Sequence, residues 1–134
     1  MGVVYYANYL VWFEVGRNAF FRARGDSYRR WEEEGLLLPV VEAACSYHHP
    51  ARYDDEVTVT TTLDSVTAAR LTFRYRIERD GVLLAEGHTV HAFVNKEGRP
   101  LNLKKAFPTL WDILRRCVTP PSGSEPDAPA AGNE

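Results

Sequence analysis

One stretch limits the folding options of this chain more than any other: GVVYYANYLVWFE, residues 2–14. Within it Tyr9, Leu10, Val11, Trp12 and Phe13 are consecutive. Consecutive apolar side chains point to every side of a helix, or to both faces of a strand, so the segment is expected to be buried nearly all round. A helix over Asn8–Arg24 fits best, with Asn8 as N-cap and Gly25 as the stop. Glu14, Arg17 and Asn18 fall at i, i+3 and i+4 and make one narrow polar stripe on this rod. Such a rod needs something wrapped around it.

The period then changes. Asp26 or Ser27 caps a short helix through SYRRWEEEG, and Gly35 ends it. Leu38–His49 is strand-like, and PARYDD at 50–55 is a turn. Val57, Val59, Thr61 and Leu63 alternate with threonines, so Glu56–Ser65 predicts a second strand. Leu71, Phe73, Tyr75 and Ile77 alternate with polar residues and predict a third over Arg70–Arg79. Asp80-Gly81 is a hairpin turn, and Val82–Val94 is the return strand. The stretch NKEGRP turns again, and Ala106–Cys117 predicts a closing helix with Pro108 in its first turn. Residues 119–134 hold no large apolar side chain and read as a disordered tail, which leaves 1–118 as the domain. The order is a long buried helix, a run of antiparallel strands and a terminal helix: an α+β layout with a curved sheet around one helix.

A chain of 134 residues, 45% of them hydrophobic, carries one core. A net charge of -2 argues against a phosphate-tracking surface and hence against nucleic acid. No segment reaches the roughly 18 apolar residues of a membrane span. No basic segment precedes the apolar start, which is unlike a secretory signal. Cys45 and Cys117 lie far apart and form no CxxC; Cys45 reads as a free, buried thiol, which fits a reducing cytoplasm.

GVVYYANYLVWFE, PARYDDEVTV and the NKEGRP turn together resemble the hotdog-fold acyl-CoA thioesterases, in the 4-hydroxybenzoyl-CoA thioesterase and YbgC-like branch. The resemblance runs from Gly2 to about Leu103. It implies a curved sheet wrapped around the central helix. It also implies protomers paired edge to edge into a homodimer or homotetramer, with active sites at the interface. Relatives carry a first strand and then a D-x-x-G-[IV]-V stretch. Gly2 matches that glycine, so the resemblance puts the first strand and a catalytic aspartate upstream of Met1, the aspartate three residues before Gly2. On that expectation the chain lacks its N-terminal strand.

The resemblance further implies hydrolysis of an acyl thioester, on CoA or acyl carrier protein, to free acid and thiol, with no cofactor. This chemistry needs a carboxylate that attacks or activates water, and donors for the oxyanion. By resemblance the donor is the backbone N–H of Tyr6 at the helix start. Asn8 positions a water or caps the helix. Glu14 is the acid within the rod; it serves as the carboxylate or pairs structurally with Arg17. Arg70, Lys96, Arg99, Lys104 and Lys105 are candidates for the CoA phosphates. The alternative reading is a catalytically inactive acyl-thioester-binding or scaffold protein. A hydratase of the same fold needs a histidine near the helix start, where Tyr6 stands. His48 and His49 diverge on a strand, as do His88 and His91, so no zinc pair forms. No GxSxG is present for a serine hydrolase.

Overall fold

Leu71, Phe73, Tyr75 and Ile77 all turn to one side of their strand and are fully buried, while Arg74 and Arg76 point away. This is what a period of two dictates for a sheet with one covered face. The computed structural model describes residues 7–23, 28–52, 54–118 and 130–131. In chain order the elements are α1 (Ala7–Ala23), α2 (Tyr28–Glu33), β1 (Val40–Tyr47), β2 (Thr58–Val66), β3 (Arg70–Arg79), β4 (Val82–Ala92), α3 (Leu103–Ala106), α4 (Pro108–Cys117) and β5 (Ala130–Ala131). The sheet runs β1-β4-β3-β2-β5, antiparallel throughout. Asp80 and Gly81 both take positive φ, 50° and 80°, as a two-residue hairpin loop requires, and Arg79 pairs with Val82 across it. Among the described residues no helix is long and apolar enough to cross a membrane.

α1 lies on the buried face of the sheet. Phe13 stacks on Tyr75 with centroids 4.2 Å apart and planes 8° from parallel. Phe20 meets Phe73 edge-on at 5.2 Å. The close seating rests on two glycines. A Cβ on Gly16 would fall inside the Thr61 hydroxyl, and one on Gly87 would strike the Ala44 carbonyl and the Phe13 ring.

Four expectations need correction. Asn8 is not the N-cap, because α1 already includes Ala7 and so places Asn8 in the first turn. The rod is not buried all round: Leu10 is 46% and Val11 52% exposed, because the sheet covers only one side of it. The closing helix is two helices, α3 and α4. Pro108 disfavours helical geometry in the residue before it, and Phe107 accordingly sits at φ -138°, ψ 68° between them. In the stretch read as a disordered tail, Ala130–Ala131 pair with Thr58 and Val59 as a fifth strand. The rest of that stretch, and any strand at residues 1–5, fall outside the described residues.

Candidate active site

α1 starts at the end of the sheet where β1 and β3 finish and β4 begins. Tyr9, in its first turn, packs edge-on against Tyr47, the last residue of β1, with centroids 4.9 Å apart. Trp12 meets the Tyr9 ring edge-on at 5.1 Å. The Tyr9 hydroxyl accepts the buried Ala51 N–H at 3.2 Å. Ala51 belongs to the PARYDD turn, which is itself tied down. The Asp55 carboxylate accepts the Arg52 N–H at 2.7 Å and Nη1 of Arg79 at 2.9 Å. The Arg52 bond first, and the Arg79 bond next, hold the Asp55 carboxyl below the usual carboxylate range. The turn is thus pinned to β3 on one side and to the first turn of α1 on the other.

The first four N–H groups of a helix have no partner within it and carry partial positive charge. A developing oxyanion is stabilised at such an end. The expected donor, Tyr6, lies outside the described residues. Asn8 is half-buried in the first turn, beside Tyr9. Glu14 is exposed and lies about 10 Å along the axis from Ala7. Among the described residues no ion pair joins it to Arg17. Instead Nη1 of Arg17 donates to the Tyr75 hydroxyl at 3.1 Å. The Tyr75 hydroxyl lies 2.6 Å from the Thr89 hydroxyl, which lies 2.8 Å from Nε2 of His91.

The five basic candidates gather at the other end of the sheet. Arg70 opens β3, Lys96 and Arg99 lie in the turn after β4, and Lys104 and Lys105 lie on α3. That turn is fastened by Asn95, whose Oδ1 accepts the Glu97 and Arg99 N–H groups at 3.0 and 2.9 Å. α3 is held to the turn before β3 by the Leu103 N–H, which donates to the Ala68 carbonyl at 2.8 Å. Within one chain these cations and the start of α1 are separated by the length of that helix, about 25 Å for its 17 residues.

His88 and His91 take opposite faces: His88 lies 2.6 Å from Glu42 on the outer face, whereas His91 is buried. Among the described residues no three metal-binding side chains converge. Sequence reasoning missed Tyr9 and the Asp55–Arg79 pair as parts of the site. A phenol in the first turn of an apolar helix, and an acid closing a turn, were the signals available.

The chain belongs to the thioesterase-like superfamily, whose family model matches residues 1–123, and its sheet around α1 is the hotdog fold. It is similar to YneP of Bacillus subtilis (strain 168), 38% identical over 81% of this chain and 80% of that protein. It is also similar to the acyl-CoA thioester hydrolase YbgC of Escherichia coli O6:H1, 30% identical over 80% of this chain and 78% of that protein. The crystal structure of a DHNA-CoA thioesterase from Staphylococcus aureus superposes with a TM-score of 0.80 at 30% identity, over 87% of this chain and 78% of that one.

Proposed function

We infer that the chain hydrolyses an acyl-CoA thioester to the free acid and CoA. The observation that carries this reading is the start of α1, tied through Tyr9 to the PARYDD turn and packed on Tyr47, in a member of the thioesterase-like superfamily. The thioester carbonyl would sit at that helix end, polarised by the Tyr6 N–H and the helix dipole, with Asn8 beside it. The free thiol of Cys45 supports a reducing, cytoplasmic setting.

The working unit is a homodimer, itself able to pair into a tetramer. Among the described residues β1 is a sheet edge, and Val41 and Tyr47 on it are 47% and 45% exposed. An open, apolar edge strand is a template for another chain. Antiparallel pairing of two β1 strands reverses one protomer relative to the other. The partner's Arg70, Lys96, Arg99, Lys104 and Lys105 then come to the end where this protomer's α1 begins, and those cations receive the phosphates of CoA or of an acyl carrier protein.

The test is release of free thiol from a panel of acyl-CoA and acyl-carrier-protein thioesters by the purified chain, with Glu14→Gln alongside. Turnover abolished by Glu14→Gln in a folded protein assigns the carboxylate to Glu14. Turnover that survives the substitution assigns it elsewhere. Tight binding of a non-hydrolysable acyl-CoA thioether with no turnover of any thioester would overturn hydrolysis in favour of a binding role.

A further inference from the structure

A chain of hydrogen bonds crosses the core behind the candidate site, and the hydrolytic reading makes no use of it. Arg17 on α1 donates to Tyr75 on β3 at 3.1 Å. Tyr75 meets Thr89 on β4 at 2.6 Å, and Thr89 meets Nε2 of His91 at 2.8 Å. Nδ1 of His91 lies 3.0 Å from the Leu38 carbonyl, just before β1. Tyr75, Thr89 and His91 are 1%, 2% and 2% exposed.

The two ends fix every proton between them. A carbonyl only accepts, so Nδ1 of His91 carries a proton. In the neutral ring Nε2 is then an acceptor, and the Thr89 hydroxyl donates to it. Thr89 has no second proton to give, so the Tyr75 hydroxyl donates to Thr89. Arg17 only donates, and the phenol oxygen accepts from it. All four bonds run in one direction and every group is satisfied.

A second proton on His91 reverses this order. Nε2–H then needs Thr89 as acceptor: either Thr89 turns its proton to Tyr75 and the Tyr75 proton is left facing Arg17, or Thr89 accepts from both neighbours and its own proton is left without a partner in the network. An unsatisfied buried donor and two like charges within one network are both costly.

We propose that these four side chains act as a proton-sensitive clamp. With His91 neutral, the clamp locks α1 in register on the sheet; with His91 protonated, it releases the helix and draws the α1 N-terminus out of its working position. The groups facing the His91 ring are the Leu38 carbonyl from the segment entering β1, the Phe73 ring from β3, Thr89 on its own strand, and beyond Thr89 the Tyr75 phenol and the Arg17 guanidinium of α1. Burial first, and Arg17 further, push the His91 pKa below its ordinary 6.5, against the opposing pull of the Leu38 carbonyl. With the folded value lowered, the clamp is whole above about pH 6.5 and is lost as pH falls through the folded value.

The clamp bears on catalysis only through the reading that α1 presents the oxyanion site, so the decisive readout is independent of turnover. Long-range proton–nitrogen spectra of the imidazoles in the whole labelled chain at pH 8 are expected to show His91 with Nδ1 protonated and Nε2 bare. On acidification His91 should titrate below the ordinary histidine range. Amide exchange in α1, normalised for intrinsic rate, should rise about tenfold or more in the same step. His91→Asn keeps a donor for the Leu38 carbonyl and cannot titrate. It should abolish that step in α1 and remove the acid limb of thioester hydrolysis. A His91 protonated on Nε2 at pH 8, or one that titrates while α1 exchange stays constant, overturns the clamp. Should His91→Asn fail to fold, the wild-type titration still decides. A step in α1 with no turnover at any pH keeps the clamp and removes the hydrolytic reading instead.

Discussion

Tyr9 has two tasks at the first turn of α1, and its ring and its hydroxyl divide them. The ring packs between Trp12 and Tyr47, while the oxygen accepts the Ala51 N–H. Tyr9→Phe keeps the ring and leaves that buried N–H without a partner, which costs about 1–3 kcal/mol. The urea midpoint should fall by the corresponding amount with an unchanged slope. The rate of thioester hydrolysis should fall as well, because the turn is no longer held to the helix start. Asp55 holds the same turn from the other side. Its carboxyl is lowered from the ordinary 3.8. Its contribution is therefore present above that value and is lost as pH falls through the folded one. Asp55→Asn should lower the melting temperature at neutral pH and flatten its decline below about pH 4, as read by calorimetry across that range.

The seating of α1 is decided at one residue on the helix and one on the sheet. Gly16→Ala gains up to about 1 kcal/mol of helix propensity. It also drives a methyl group into the Thr61 hydroxyl, an overpacking that costs about 1–3 kcal/mol. The steric term is the larger, so the variant should melt at lower temperature although its far-ultraviolet spectrum is unchanged. The elements themselves were largely legible. Alternation alone placed β3 at Arg70–Arg79, and Asp80-Gly81 announced the hairpin. What stayed hidden depends on register. Arg17 stands out as a cation in an apolar helix, but its partner is 58 residues away. Thr89 and His91 lie two apart on one face of β4, and no local pattern says that Tyr75 lies beside them. The exposure of Leu10 and Val11 was hidden for a similar reason, since an apolar run records that a surface will be covered without saying whether its own chain covers it.

At the scale of the whole molecule, the start of α1 and the basic group at Arg70, Lys96, Arg99, Lys104 and Lys105 stand at opposite ends of one chain. The proposed pairing through β1 reverses one protomer and brings each basic group to the other's helix start. Val41→Lys on that edge should therefore yield monomers in sedimentation velocity at micromolar concentration, with loss of hydrolysis in the same fraction. A stronger test mixes two defects. Tyr6→Pro removes the proposed donor N–H from one protomer. Arg99→Glu with Lys104→Glu and Lys105→Glu reverses three of the five cations on the other, and should raise KM far more than it lowers kcat. If cations and helix start act in trans, a mixed dimer holds one site with both defects and one site with neither. Random assembly of the two variants in equal amounts makes about half the dimers mixed, so about a quarter of the wild-type sites should return. If the cations served the helix start of their own chain, every site in every dimer would carry one defect, and mixing would restore nothing. Recovery near a quarter, measured at saturating and at low acyl-CoA on co-expressed variants carrying different tags, supports the shared site; activity no higher than the mean of the two parent variants eliminates it.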